Sequence, residues 1–213
     1  MTPRRRIGLL GGSFNPAHGG HRRIALGAVR ALGLDEVWLL VSPGNPLKDK
    51  VGDMAPFPAR FASAQRIARH ARIRATALES DYGTRYTVDT MQEIRKRHPR
   101  HDFIWLMGDD NLAQFDRWKS WRKIATTMPI AVVARPGYYR DAHRGIAWAW
   151  LRRFVRPSRL ARNWTMWRPP ALVLLRFRPD PASATRLRHA HPGWHQSIMT
   201  EGGRLASMRA LFR

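Results

Sequence analysis

The sequence predicts an α/β fold in which a doubly wound parallel sheet carries helices on both faces. Six short apolar runs alternate along the chain with amphipathic segments that have helical spacing. The runs comprise residues 7–10, 37–41, 73–78, 103–107, 130–134 and 171–177. Strands that are apolar throughout are buried on both sides, which is typical of parallel sheets covered by helices.

Two of the amphipathic segments show the spacing of a single buried helical face. In the first segment, this face comprises Phe57, Phe61, Ala64, Ile67 and Ala68. In the second segment, it comprises Val88, Met91, Ile94 and the aliphatic stem of Arg95. Ligands of such sheets bind outside the carboxyl ends of the strands, at the point where the strand order reverses. We therefore expect the functional residues directly after strands.

The length and composition bound the class of protein. The chain has 213 residues, a formal net charge of +23 and no cysteine. This length suits a single domain over residues 1–213. The charge indicates phosphate-bearing partners such as mononucleotides, nucleic acid or anionic lipid, although many arginines could simply face solvent. The lack of cysteine excludes disulfides and thiolate metal sites. The first apolar run is too short for a signal peptide or a membrane span, so we expect a cytoplasmic protein.

One region interrupts the alternation of strands and helices. Residues 142–179 contain no Asp or Glu, while Arg and Trp recur in them. This composition fits either a surface that stacks on bases and grips phosphates, or a helical insertion whose tryptophans pack inward. The second interpretation, an insertion at about residues 138–170 before the last strand, is favoured by the helical spacing of Trp148, Leu151, Phe154 and Val155. The tail at residues 189–213 has no physical interpretation.

The stretch GGSFNPAHGGH directly follows the first predicted strand and spans residues 11–21. Gly11 and Gly12 lack a Cβ and would let a ligand approach the backbone closely. Ser13 offers a hydroxyl, and Pro16 fixes the turn into a helix that we expect to begin near Gly19. The N–H groups at the start of such a helix form a phosphate site.

His18 and His21 lie one helical turn apart at the start of this predicted helix. Both imidazoles can point to one spot, where they would donate hydrogen bonds to phosphoryl oxygens and stabilise a phosphoryl-transfer transition state. Paired histidines also suit zinc, but no third nitrogen, thiolate or carboxylate stands at a suitable nearby position. We therefore favour the phosphate interpretation and predict no metal ligands on the protein.

GGSFNPAHGGH resembles the GG-[ST]-F-x-P-x-H-x-G-H signature of the nucleotidyltransferase superfamily. Members of that superfamily join a nucleoside triphosphate to a phosphate-bearing acceptor and release pyrophosphate. The resemblance implies a Rossmann-like nucleotidyltransferase fold. It also implies that Gly11, Gly12, Ser13 and Phe14 bind ATP, but it does not identify the acceptor.

Two segments resemble parts of the bacterial nicotinate-mononucleotide adenylyltransferases. SPGNPLKDK resembles their P-x-x-N-P-x-K loop, which implies that Asn45 binds the mononucleotide and that Lys48 lies near the phosphates. YTVDTM resembles their Y-T-x-D-T-[LM] segment, which implies that Tyr86 and Thr87 bind the mononucleotide and that amides around Thr87 meet a carboxylate. Taken alone, this second segment also fits a Thr N-cap followed by a core Met91.

The segment WLMGDDNLAQFDRWKSW is the most specific to this family. The resemblance implies that Gly108 permits close approach of ATP and that Asp109 accepts hydrogen bonds from the adenosine ribose. Phe115 and Trp118 are spaced to sit on one helical side, and the resemblance implies that Trp118 stacks on the pyridine ring. A buried structural Trp is the alternative interpretation.

The segment DPASATRLR resembles the family's [IL]-S-S-T-x-[IL]-R signature. The resemblance implies that Ser183 and Thr185 hold the triphosphate in the first turn of a helix, with Arg188 reaching it one turn further on. Ala184 replaces the second serine of the signature, so one hydroxyl contact is absent. Ala182 stands where the family has a larger aliphatic residue.

Together these resemblances imply adenylyl transfer from ATP to nicotinate mononucleotide, which gives deamido-NAD and pyrophosphate. The implied catalytic residues are His18, His21, Lys48 and Arg188, with Mg²⁺ bound through the ATP phosphates. Alternative acceptors are nicotinamide mononucleotide and phosphopantetheine. An alternative of another class, motivated by the charge, is a non-catalytic relative that binds nucleic acid. We expect a monomer or homodimer with no membrane partner and no specific nucleic-acid partner.

Overall fold

The computed structural model describes residues 4–44, 54–134, 139–177 and 183–198. Within these ranges, seven strands form one sheet whose neighbouring strands are all parallel. The strands are β1 (Arg6–Gly12), β2 (Glu36–Val41), β3 (Ile73–Thr76), β4 (Asp102–Gly108), β5 (Ile130–Val133), β6 (Val155–Arg156) and β7 (Leu172–Leu175). Their order, β3-β2-β1-β4-β5-β7-β6, confirms the predicted parallel sheet.

Helices connect these strands across the described part of the chain. They are α1 (Gly19–Leu32), α2 (Phe57–Ile67), α3 (Leu78–Asp81), α4 (Thr87–Arg97), α5 (Asp109–Leu112), α6 (Trp121–Thr127), α7 (Tyr139–Ala142), α8 (Ile146–Leu151) and α9 (Ala184–Ala190). Three segments are 3₁₀ helices, Phe115–Arg117, Arg152–Phe154 and Ser158–Met166. Helix α1 begins where Pro16 and the glycines of the first motif predict, and it ends at Gly33 in the left-handed region, with φ of 63°.

The core lies on both faces of the sheet. Successive strand residues point to opposite sides, so Leu9 of β1 packs with Trp105 of β4 on one face, and Leu10 packs with Leu106 on the other. Helices α4, α6 and α8 cover the first face, whereas α1, α2 and the 3₁₀ helix Ser158–Met166 cover the second. The expectation of helices on both faces is confirmed.

Two features of the sheet differ from the predicted runs. Strand β3 ends at Thr76, two residues before the predicted end, because Leu78 begins α3. Strand β6 was not predicted: Val155 pairs with Leu172 of β7, although its spacing had indicated a helix. The residue before a proline avoids the α region, and Pro157 follows Arg156 directly, so the chain is extended here.

Several apolar residues of the Arg/Trp-rich region face the core of the described structure. Leu151 of α8 is fully buried, and Trp148 packs against the same core cluster. Trp164 is 1% exposed, and its indole N–H donates to the carbonyl of Leu32 at 3.1 Å. The inward-packing interpretation is confirmed for these residues, but the spacing was wrong for Phe154, which lies in a 3₁₀ turn. No helix among the described residues is long and apolar enough to cross a membrane.

The strand order reverses next to β1, which has β2 and then β3 on one side and β4 on the other. Because neighbouring strands are parallel, β1 and β4 end at the same edge of the sheet, at Gly12 and Gly108. This is the position where doubly wound sheets bind ligands. Both strands lead directly into segments that the sequence analysis identified.

Candidate active site

The glycines at the end of β1 make room for aromatic side chains. A Cβ on Gly11 would lie 2.6 Å from an atom of the Trp105 ring, and a Cβ on Gly12 would lie 3.3 Å from the ring of Phe14. The observed need for Gly11 therefore comes from packing against Trp105, which the sequence analysis did not single out. Phe14 itself is buried and has φ of 48°, in the left-handed region.

The loop after β1 brings the two predicted histidines together. The ring centroids of His18 and His21 are 4.0 Å apart, and the ring of Phe14 lies 4.9 Å from that of His21. His18 is 6% exposed. The two imidazoles therefore lie side by side at the start of α1.

The two imidazoles form a reciprocal capping box at the N-terminus of α1. Nδ1 of His18 accepts the backbone N–H of Gly20 at 3.1 Å, and Nδ1 of His21 accepts the backbone N–H of His18 at 3.2 Å. A neutral imidazole that accepts through Nδ1 carries its proton on Nε2. Each ring is therefore oriented with Nε2 as a hydrogen-bond donor, which suits phosphoryl oxygens. The sequence motif indicated the shared target but not this capping role.

The carboxyl end of β4 carries the next predicted residues. Gly108 ends β4 in extended backbone and is the N-cap of α5, and Asp109 begins that helix with 2% exposure. Asp109 thus lies at the edge of the sheet where the loop after β1 begins. This position fits the predicted contact with a ribose near the phosphate loop.

Trp118 is half-buried and packs edge-to-face against two aromatic rings. Its ring centroid lies 6.3 Å from that of Trp105 and 5.4 Å from that of Phe115. Trp105 therefore stands between Gly11 and Trp118, so it joins the phosphate loop to the predicted pyridine-stacking residue. Trp118 is not part of the fully buried core, which weighs against the alternative of a purely structural tryptophan.

The segment at Tyr86 and Thr87 forms the start of α4. Tyr86 is the N-cap residue, without a side-chain capping bond, and Thr87 is the first helical residue. The alternative of a Thr N-cap is therefore wrong, although Met91 is a core residue as that interpretation required. Lys119, the neighbour of Trp118, lies 4.3 Å from the ring centroid of Tyr86. The start of α4 thus lies beside the Trp118 segment.

Helix α9 is connected to the loop after β1. Ser183 caps α9 by accepting the backbone N–H of Arg186 at 3.2 Å, and Thr185 is exposed in the first turn. The guanidinium of Arg188 donates to the carbonyl of Asn15 at 2.8 Å. Arg188 therefore reaches the segment that leads into His18, as its predicted catalytic role requires. Asn45 and Lys48, also predicted for this site, lie outside the described residues.

A buried arginine on α2 is a site feature that the sequence analysis missed. Arg60 is 1% exposed, and burial lowers the pKa of its guanidinium, whereas the nearby Glu79 carboxylate raises it. Burial also raises the pKa of Glu79 to about 7, against the opposite effects of a hydrogen bond with Ser42 and of the Arg60 charge. A signal was present in the sequence, since Arg60 interrupts the apolar helical face that holds Phe57, Phe61 and Ala64.

The described site residues offer hydrogen-bond donors and positive charge. They include no group of three His, Cys, Asp or Glu side chains arranged to hold a metal ion. Imidazole Nε2 groups, hydroxyls, a guanidinium and helix N-terminal amides are instead ligands for phosphate oxygens. This donor set suits phosphate-bearing ligands.

Comparisons with known proteins identify the family of the chain. The cytidylyltransferase-like family model matches residues 9–190, most of the chain, so the protein belongs to that family. One relative, from Erythrobacter litoralis (strain HTCC2594), is 60% identical over 194 residues, which are 91% of this chain and 88% of the relative. Another, from Gluconobacter oxydans (strain 621H), is 52% identical over 185 residues, covering 87% and 94% of the two chains.

Both relatives are named probable nicotinate-nucleotide adenylyltransferases. At these identities and coverages, the chain is a member of the nicotinate-nucleotide adenylyltransferase family, whose members are nucleotidyltransferase enzymes of NAD biosynthesis. The family resemblance of the sequence motifs is thereby confirmed.

Solved structures extend the agreement to the fold. The nicotinic acid mononucleotide adenylyltransferase of Plasmodium falciparum complexed with NaAD has a TM-score of 0.64 and 16% identity over 87% of this chain and 83% of its own. The same Plasmodium enzyme complexed with APC has a TM-score of 0.62 and 15% identity, with the same coverage. These likenesses confirm the Rossmann-like nucleotidyltransferase fold.

Proposed function

We propose that the site between β1 and β4 transfers the adenylyl group of ATP to nicotinate mononucleotide. A 5′-phosphate oxygen of the mononucleotide attacks the α-phosphorus of ATP. The bond from that phosphorus to the oxygen that bridges the α- and β-phosphates breaks. The products are deamido-NAD and pyrophosphate, which leaves with the electron pair of the broken phosphorus–oxygen bond. The attacking phosphate is already an anion at neutral pH, so the reaction needs alignment and charge neutralisation more than a base.

The observation that carries the proposal is the pair of imidazoles at the start of α1. Their ring centroids are 4.0 Å apart, and because each ring accepts a backbone N–H at Nδ1, the start of α1 fixes the orientation of both Nε2 groups. His18 and His21 would bind the phosphates and stabilise the negative charge that develops on them in the transition state. Arg188, held at the carbonyl of Asn15, would add its positive charge beside them.

The remaining ATP contacts are assigned from the same edge of the sheet. Gly11 and Gly12, with Ser13 and Phe14, would form the floor and wall of the phosphate loop. Asp109, at the N-terminus of α5 after Gly108, would accept hydrogen bonds from the adenosine ribose. The additional contacts to the triphosphate are assigned to Lys48 and to two hydroxyl residues near α9, Ser183 and Thr185.

The mononucleotide is assigned to the side of the site that carries aromatic residues. Trp118 would stack on the cationic pyridine ring, and helix amides at Thr87 would bind its carboxylate. Tyr86 and Asn45 are assigned to the mononucleotide as well. Lys119, the neighbour of Trp118, connects the Trp118 segment to the start of α4, because it contacts both Tyr86 and Asp89. An amide N–H prefers a carboxylate to a carboxamide, so these donors favour the nicotinate form over the nicotinamide form.

The proposal includes Mg²⁺ bound to the ATP phosphates, where it would neutralise negative charge and favour departure of pyrophosphate. We further propose a cytoplasmic monomer or homodimer with no specific nucleic-acid partner.

The proposal is tested by measuring pyrophosphate release with ATP and Mg²⁺. The acceptors are nicotinate mononucleotide, nicotinamide mononucleotide and phosphopantetheine in parallel. We expect the highest kcat/KM with nicotinate mononucleotide. A higher kcat/KM with either of the other acceptors would refute the assignment of the substrate.

The role of the imidazoles is tested by substituting His18. His18→Asn retains an N-cap acceptor for Gly20 but removes the Nε2 donor, so kcat is expected to fall by about 100-fold or more while the melting temperature stays close to that of the wild type. His18→Ala removes the cap as well and is expected to lose about 1 kcal/mol of stability in addition. His70→Ala serves as the control, because His70 is exposed and precedes β3, at the amino ends of the parallel strands and not at their carboxyl ends. Wild-type turnover in His18→Asn would contradict the assigned role.

A further inference from the structure

One buried guanidinium binds four backbone carbonyls near the candidate site. Nε of Arg60 donates to the carbonyl of Ala55 at 2.9 Å, and Nη1 donates to Ser13 at 2.8 Å and to Ser42 at 2.6 Å. Nη2 donates to the carbonyl of Pro43 at 2.8 Å. Arginine has five N–H donors in a fixed planar arrangement, so these contacts define its orientation tightly.

The four carbonyls belong to three segments that meet at the carboxyl edge of the sheet. Ser13 lies in the loop between β1 and α1, five residues before His18. Ser42 and Pro43 directly follow β2, and Ala55 precedes α2. Arg60 therefore fixes the loop after β1 relative to both flanks of the connection between β2 and α2.

We propose that Arg60 is a positioning residue for adenylyl transfer, which holds the phosphate loop after β1 in register with the connection after β2. It contacts neither nucleotide and acts through the backbone of Ser13, Ser42 and Pro43. The inference rests on the proposed function, since the loop after β1 carries the proposed ATP-binding residues and leads to His18.

The competing explanation is that Arg60 only balances the buried charge of Glu79. A simple counter-ion requires one contact with the carboxylate and does not require four carbonyl acceptors from three segments. The two explanations differ in a double variant that removes both charges. If Arg60 were a counter-ion alone, removing Glu79 as well would make its loss harmless.

The experiment compares Arg60→Gln, Glu79→Gln, the double variant of both substitutions, and Arg60→Lys. Arg95→Gln is the matched control, because the Arg95 guanidinium also binds a backbone carbonyl, that of Thr127 at 2.9 Å, at an exposed position between α4 and α6. The values of kcat and KM for both nucleotides are measured at a temperature where thermal melts show that each variant is folded.

We expect kcat of the double variant to stay about 10- to 100-fold below that of the wild type, because removing Glu79 does not replace the four carbonyl contacts of Arg60. Arg60→Lys keeps the charge but cannot reach all four carbonyls, so a similar loss of kcat is expected in a folded protein. Arg95→Gln should retain wild-type kcat. Recovery of kcat in the double variant, or full activity in Arg60→Lys, would overturn the proposal.

Amide hydrogen exchange on the unliganded proteins separates this inference from the proposed function. We expect faster exchange at residues 13–18 and 42–44 in Arg60→Lys, with unchanged exchange in the central strands. Unchanged exchange at both loops would overturn the positioning role even if the enzyme is active. Absence of pyrophosphate release in the wild type would instead refute the proposed function and leave the exchange result as an independent measurement of loop positioning.

Discussion

Replacing Glu79 by Gln is expected to change how the stability of the protein depends on pH. Glu79 is 7% exposed at the start of α3, and burial raises the pKa of its carboxyl from 4.5 to about 7. A hydrogen bond with Ser42 and the charge of Arg60 act in the opposite direction but do not offset the burial. Glutamine has nearly the shape of the protonated acid and does not ionise, so the variant isolates this single proton.

The sign of the effect follows from proton linkage. A raised pKa in the folded state means that the folded protein holds the Glu79 proton more tightly than the unfolded chain does. The resulting stabilisation is fully present below pH 4.5 and is lost as the pH rises through about 7. A tenfold difference in proton affinity is worth about 1.4 kcal/mol. The shift of the Glu79 pKa from 4.5 to about 7 therefore corresponds to about 3 kcal/mol in the free energy of unfolding.

The assay is urea unfolding of wild type and Glu79→Gln, followed by tryptophan fluorescence at pH values on both sides of the interval from 4.5 to 7. The stability of the variant relative to the wild type is expected to increase by about 3 kcal/mol as the pH rises across this interval. Glu93→Gln removes a carboxylate that pairs with Arg97 on the surface of α4, and it is the control for general charge effects. A difference between wild type and Glu79→Gln that does not vary with pH would refute the reasoning.

Two further predictions concern the aromatic side of the site. Gly11→Ala places a Cβ 2.6 Å from the buried ring of Trp105, so urea unfolding should show a free energy of unfolding about 1 to 3 kcal/mol lower. Gly145→Ala is the control, because the nearest atom to its added Cβ would be 3.6 Å away, and its stability should change little. Equal stabilities of these two variants would contradict the packing argument. Trp118→Leu removes a proposed cation–π contact of about 1 to 2 kcal/mol, so steady-state kinetics should show a KM for nicotinate mononucleotide about 5- to 30-fold higher. An unchanged KM would exclude stacking by Trp118.

The sequence predicted most of the sheet because buried parallel strands are apolar at every position. The runs at β1, β2, β4 and β5 have this property, and each lies within two residues of the observed strand. Strand β6 has only Val155 and Arg156, and its existence depends on pairing with β7 in space. A pairing of two residues leaves no periodic pattern in the chain, so the local helical spacing prevailed in the prediction.

The candidate site was predictable where local geometry determines it. His18 is the N-cap of α1 and His21 is its third helical residue, so their proximity follows from the local geometry of a helix start. The role of Arg60 depends on carbonyls of Ser13, Ser42 and Pro43, which approach it only in the folded chain. The role of Trp105 likewise requires β1 and β4 to be neighbours, which no short stretch of sequence specifies.

The short strand β6 also affects how the molecule meets its neighbours in solution. An unpaired sheet edge offers backbone groups on which another chain can add a strand, and such growth leads to aggregation. At one of the two edges of the described sheet, β6 is two residues long, it includes Arg156, and Pro157 follows with no N–H to donate. At this edge, a second chain would therefore meet positive charge and almost no ladder of hydrogen-bonding groups, so the residues of β6 disfavour the addition of a strand from another molecule beside them.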